Sequence, residues 1–296
     1  MRGPRTRAAA VSIGSNAALI LLKLIAGAVT GSVAILTEAI HSSVDLVASL
    51  IAFFSVRQAE EPADESHRYG HEKFENVAAA AEGVLILVGS GVIVYAAVRS
   101  LVQGPELHTL GFGIAVLAFS TVANLVVSTW LYAKARDTQS AALEGDAAHL
   151  RTDAYTSGGV LVGLALVHFT GAEWLDPAVA LVIAAAIVIT GLRLVRRSWA
   201  VLVDEALPPD ELTAIREAID EFAPRGIVGF HQLRTRRAGA RRYVDLHVQF
   251  RSGTTLEAAH GTAHALQDEI TRRLPGGTDV LIHLEPEDKV RPDASG

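Results

Sequence analysis

Glu38-Ala39-Ile40-His41-Ser42-Ser43-Val44-Asp45 and Asp146-Ala147-Ala148-His149-Leu150-Arg151-Thr152-Asp153 carry one pattern twice: an acid, a histidine three residues on, and an aspartate four further. Each copy sits inside a long apolar stretch. Residues three and four apart share a helix face. Each stretch, as a helix, therefore presents a His–Asp pair. Charges inside a bilayer helix cost several kcal/mol and mark function by default. If the two helices face each other, His41, Asp45, His149 and Asp153 offer two imidazoles and two carboxylates to one divalent cation. Zinc takes such ligands at about 2.0–2.2 Å in a tetrahedron. Glu38 and Asp146, one turn earlier, are candidates to orient the histidines from behind.

The rest of the chain supports a membrane setting. Half of its 296 residues are hydrophobic, the mean hydropathy is +0.32 and 20% are charged, below the ~25% of an ordinary soluble domain. The first 200 residues hold 30 charged side chains and the last 96 hold 28. A net charge of −6 and a pI near 6.0 do not suit a nucleic-acid binder. The absence of cysteine excludes disulfide scaffolds, zinc fingers and thiol nucleophiles.

Spanning a bilayer takes about 20 mostly apolar residues. Six such stretches fall near 8–30, 33–56, 78–101, 110–134, 147–168 and 175–196. The expected fold is thus an all-α membrane domain of six transmembrane helices over 1–206. A polar α+β domain follows over 207–288, with a flexible tail at 289–296 and a mobile start at 1–7. Arg2, Arg5 and Arg7 precede an apolar run too long for the core of a cleavable signal. Arg2, Arg5, Arg7, Arg57, Arg68, Lys73, Lys134, Arg136, Arg193, Arg196 and Arg197 all fall on one side. The positive-inside rule places that side, both termini and the polar domain in the cytoplasm. Lys23 reads as a packed or snorkelling lysine, and Asn16 and Asn124 as polar glue between helices.

Between the second and third stretches, Asp64, His67 and His71 recur at intervals of three and four. A helical turn there would make them a second cation site. In the polar domain, 209–222 reads as a helix, Ile227–Arg236 and Arg242–Phe250 as strands, 255–273 as a helix and Val280–Glu285 as a third strand. The order α-β-β-α-β describes a small open-faced, metallochaperone-like α+β sandwich. Five of the eleven histidines lie here: His231, His247, His260, His264 and His283. His283 and Glu285 share a strand face.

With these motifs together, the chain resembles the cation diffusion facilitator family, close to its bacterial YiiP-like zinc and iron exporters, over nearly its whole length. The resemblance implies a transport site at His41, Asp45, His149 and Asp153 and a loop site at Asp64, His67 and His71. It implies a binuclear cytoplasmic site at His231, His247, His260, His283 and Glu285, and a salt bridge between Lys73 and Asp204. It further implies a homodimer in the lipid bilayer, without nucleic acid, exporting metal by alternating access. The resemblance also points to a prokaryotic inner membrane. The paired His–Asp form is typical of zinc-selective members, so Zn2+ is expected as cargo and as structural metal, with Fe2+, Cd2+, Co2+ and Mn2+ following. Ligands that must shed protons to bind metal suit proton-coupled antiport. Two other readings stand beside this one. A membrane-bound metal sensor would bind without transport, but needs no acids in mid-membrane. A metal-dependent hydrolase needs an open coordination position, which four protein ligands do not leave; no enzymatic activity is expected.

Overall fold

A computed structural model describes residues 3–30, 33–103 and 112–287. The chain divides into two compact units, Met1–Trp199 and Ala200–Gly296, so the division falls a few residues before the expected boundary at 206. The tail expected at 289–296 lies outside the described residues.

The first unit contains six long helices: α1 (Pro4–Thr30), α2 (Val33–Ala59), α3 (Lys73–Gln103), α4 (Phe112–Thr138), α5 (Ala141–Thr170) and α6 (Leu175–Leu202). Most outrun their apolar stretches, because hydrophobicity delimits what lipid can cover while helical hydrogen bonding continues beyond it. By length and composition four of them, α1, α3, α4 and α6, are apolar enough to cross a membrane. The first half of α5 carries Glu144, Asp146, Arg151 and Asp153, which sets it apart from those four.

The packing is inverted relative to a water-soluble bundle. On α3 the buried side is Ala78, Ala79, Glu82, Gly83, Ile86 and Ser90, whereas Val88, Val92 and Tyr95 are more than 60% exposed. Small residues inside let helix backbones approach, as expected where lipid replaces water around the bundle. Helix α5 lies against α4, α3 and α2, and α1 lies against α2 and α4. Ser140 caps α5 by accepting from the Leu143 N–H, and Gly171 ends it in the left-handed conformation at φ +69°.

From Pro4 onward the N-terminal segment is tied down, contrary to the expectation of a mobile start. Helix α1 begins at Pro4. Arg5 Nη1 donates to Glu75 Oε1 at 3.0 Å, and Thr6 Oγ1 donates to Glu60 Oε2 at 2.7 Å. Glu75 is almost wholly buried and needs donors such as Arg5 and Ser140. Lys23 is packed, as expected, and donates to Ser42 Oγ at 2.7 Å. Asn16 does bridge helices, donating to Ser49 Oγ at 2.7 Å. The Asn124 Oδ1 finds no partner among the described residues. Arg151 is satisfied on α4, where it donates to Ser128 and Thr129 and lies 5.0 Å from the Tyr132 ring centroid.

The second unit holds α7 (Pro209–Asp220), a 3-10 turn at Ala223–Arg225, β1 (Ile227–Ala238), β2 (Arg241–Phe250), α8 (Leu256–Arg273) and β3 (Thr278–Pro286). The sheet order is β1-β2-β3, with β1 antiparallel and β3 parallel to β2. Proline at the start of α7 costs no hydrogen bond, and Thr255 caps α8. Val244, Leu246, Val248 and Phe250 alternate along β2 and are buried against Ile215, Ile219, Leu266 and Ile270 of the two helices. The opposite face of β2 is left to Asp245, His247 and Gln249.

Candidate metal sites

Three clusters of ligand atoms form among the described residues. The first joins α2 and α5. His149 Nε2 stands 3.2 Å from Asp45 Oδ1 and 3.8 Å from Asp153 Oδ2. All three donors lie within 4.8 Å of one another. Asp45 and His149 are each 8% exposed, and Asp153 is partly buried. Two carboxylates against one imidazole favour a cation there over an unscreened buried anion pair. The side chains of His41 and Glu38 lie outside the described residues. Asp146 does not reach His149 by any hydrogen bond. It accepts from Ser49 Oγ at 2.7 Å, and Ser49 also receives Asn16 and meets Ser12 at 3.2 Å. Asp146 thus pins α5 to α2 and α1, the helices that frame the cluster.

The second cluster is the loop between α2 and α3. Asp64, His67 and His71 come together, with Asp64 3.4 Å from His67 Nδ1 and 3.3 Å from His71 Nε2. The segment is not a helical turn, as the spacing suggested, but a chain of tight turns. Asp64 Oδ1 accepts the backbone N–H of Ser66 and of His67, at 2.8 and 2.6 Å, the local turn that aspartate favours. Gly70 takes φ +88°, which reverses the chain and returns His71 to Asp64. The N–H of His67 holds the Asp64 carboxyl below its usual range.

The third lies on the polar face of the sheet. His231 pairs with His247 across β1 and β2, and His247 with His283 across β2 and β3. Cross-strand neighbours sit about 5 Å apart, so register alone lines up three imidazoles. Glu285, two residues along β3, accepts from His231 Nε2 at 2.7 Å and His247 Nδ1 at 2.9 Å, while His283 Nε2 stands at 3.8 Å. Hydrogen bonds from His231, then His247, hold the Glu285 carboxyl below its usual range. A bulge follows His231, where Gln232 takes φ +49°. His260 does not join this set within the chain. It projects from the exposed side of α8, whose buried side covers the other face of the sheet, and its Nε2 meets His264 Nε2 at 3.1 Å. Asp204, φ +59°, takes Arg236 Nη1 at 3.4 Å within its own unit, and Lys73 opens α3.

Sequence reasoning passed over Glu82. It is fully buried on α3 and within electrostatic reach of Asp146 and His149. The signal was present, since Glu82 is a carboxyl inside the 78–101 apolar stretch. It belongs to no repeated motif.

A ligand set between two long apolar helices, a second in a loop and a histidine-lined sheet describe a membrane protein that handles metal. The description "Cation efflux transmembrane domain" matches residues 9–203, and "Cation efflux protein, cytoplasmic domain" matches residues 207–287. The uncharacterized transporter sll1263 of Synechocystis sp. is 38% identical over 94% of this chain and 89% of its own length. The cation-efflux pump FieF of Klebsiella pneumoniae is 34% identical over 95% and 92%. A solved structure of CzrB in its Zn form is 36% identical and covers 30% of this chain and 99% of that one, at a TM-score of 0.27. The chain belongs to the cation diffusion facilitator family of cation efflux transporters, with a helical transmembrane domain and a cytoplasmic domain built on a small sheet.

Proposed function

We propose that this protein exports a divalent cation, zinc first, from the cytoplasm across a bacterial inner membrane in exchange for protons. Six helices cross the membrane, both termini are cytoplasmic, and two copies form the working unit. The observation that carries this reading is the buried Asp45–His149–Asp153 cluster between α2 and α5. Its donors are hard and borderline, with no thiolate, which suits zinc ahead of soft ions. His41, on the same helix as Asp45, supplies the fourth ligand. The cluster's own residues do the coupling. Cation enters as His149 and the carboxylates give up protons, and protons arriving from the far side displace it. Alternation follows if the two facing states differ in affinity for each ligand. The names of the FieF relatives and of the cytoplasmic family match support efflux and pairing. Asp64, His67 and His71 serve as a loop site. His231, His247, His283 and Glu285 hold structural zinc, with His260 supplied by the other copy, since it faces away from its own.

Proteoliposome flux tests this. The unsubstituted protein moves zinc with opposite proton flow, and Asp153→Ala binds less metal and moves none. Zinc binding without flux in the unsubstituted protein overturns transport and favours a sensor. Flux without proton movement overturns the exchange.

A further inference from the structure

Two buried polar groups near the α2–α5 cluster lack what the other could supply. Glu82 on α3 has 0% exposure, and neither of its carboxylate oxygens has a hydrogen-bond partner among the described residues. Its end lies on Gly145 of α5. A Cβ added at Gly145 would fall 2.2 Å from Glu82 Oε2 and 3.1 Å from its Cδ. One helical turn further along α5, on the same face, is His149. Its Nε2 faces Asp45 and Asp153, while its Nδ1 has no hydrogen-bond partner among the described residues. Glu82 and His149 are close enough to interact electrostatically. A buried acceptor without a donor and a buried ring nitrogen without an acceptor each carry a desolvation penalty.

An imidazole that gives Nε2 to a metal keeps its remaining proton on Nδ1. That N–H almost always goes to a carboxylate or carbonyl, which fixes the tautomer and strengthens the ligand. We propose that Glu82 is the positioning residue for His149, accepting the Nδ1–H when Nε2 holds the transported cation. The proposal rests on the transport-site reading above. It also accounts for glycine at 145, since any side chain there would displace the carboxylate. The rival acceptor is Asp146, whose Oδ2 is also unpartnered among the described residues, but whose Oδ1 is anchored to Ser49 on α2.

The test uses full-length protein in detergent, with zinc as probe. Zinc affinity of the Asp153-dependent site and the His149 Nδ1 proton resonance in 15N-histidine-labelled, zinc-loaded protein are measured. In Glu82→Ala the affinity falls about 10- to 100-fold and the resonance is lost. In Glu82→Gln, which keeps shape and an acceptor oxygen, more affinity survives and the proton resonance moves upfield as the acceptor loses charge. Gly145→Ala, which leaves every charge in place, weakens binding in the same direction. A purely structural Glu82 would not move the His149 proton signal in the Gln variant. If that signal and the affinity are unchanged in Glu82→Gln and Glu82→Ala, or if Asp146→Asn rather than Glu82→Ala removes the signal, the proposal is overturned. Binding that depends on Asp153 but ignores Glu82 overturns this proposal alone. Failure of the unsubstituted protein to show Asp153-dependent binding overturns the site reading with it.

Discussion

At the residue scale, Glu285 decides how the sheet cluster responds to acid. Its carboxyl is held below the usual range by hydrogen bonds from His231 and His247. A carboxylate depressed on folding contributes stability in full above its unfolded pKa of about 4.3, and loses that contribution as pH falls through the folded value. The thermal midpoint of the metal-free second unit should therefore fall as pH is lowered below about 4. Glu285→Gln should make that fall shallower, since amide and acid then differ less. At neutral pH the same substitution should weaken zinc binding at the sheet at least about tenfold, read by chelator competition. A pH profile in Glu285→Gln that overlays the parent would remove Glu285 from this role. Asp64 differs, because its carboxyl is set chiefly by backbone N–H groups of its own turn. The turn itself holds it in place.

At the element scale, α3 and α6 meet through two glycines. A Cβ at Gly83 would lie 3.1 Å from Val195 N and 3.2 Å from Gly191 O, and one at Gly191 would lie 2.9 Å from Leu87 Cγ. The first two neighbours are backbone and cannot swing away. Gly83→Ala should cost about 1–3 kcal/mol of stability through overpacking. Gly14→Ala, with nothing within 4 Å of the added Cβ, should be neutral or stabilise by up to about 1 kcal/mol. Thermal unfolding of the two variants in detergent separates them, and equal shifts would refute the close α3–α6 contact. The helices themselves were legible, since 78–101 and 175–196 need little beyond hydrophobicity to place. Their full lengths were not, because polar ends such as Lys73–Asn76 continue α3 by hydrogen bonding alone. The form of the loop around Asp64 stayed conditional on a helical turn for a related reason. Spacing of three and four is shared by helices and by successive tight turns, and only the positive φ at Gly70 distinguishes them.

At the scale of the whole molecule, the proposed homodimer carries its own prediction. His260 points away from the histidine row of its own chain, so another copy must provide it if it is to bind that metal. Zinc should then shorten the distance between cytoplasmic domains, measured by paired spin labels. His260→Ala and His247→Ala should each abolish the shortening while much of the flux survives. A zinc-independent distance would sink the shared site. The sequence carried most of this arrangement. That Asp45, His149 and Asp153 come together, and likewise Asp64, His67 and His71, and the histidine row of the sheet, follows from motif, spacing or strand register. What it could not carry was contact between distant segments. Asp146 bonding to Ser49, and Glu82 resting on Gly145, depend on which helices become neighbours. The start of α5 shows what such contacts imply. A single hydroxyl, that of Ser140, donates to Glu75 at 2.5 Å while accepting from Leu143 N–H, and Glu75 in turn grips Arg5. The Glu75 carboxyl therefore latches the ends of three helices, one oxygen on α5 and the other on α1. Any rocking motion that parts α5 from α3 at that end must first break the Ser140–Glu75 bond, leaving the buried carboxyl to Arg5 alone. The bundle should consequently rest closed there and swing as two clicked positions, not drift through a continuum.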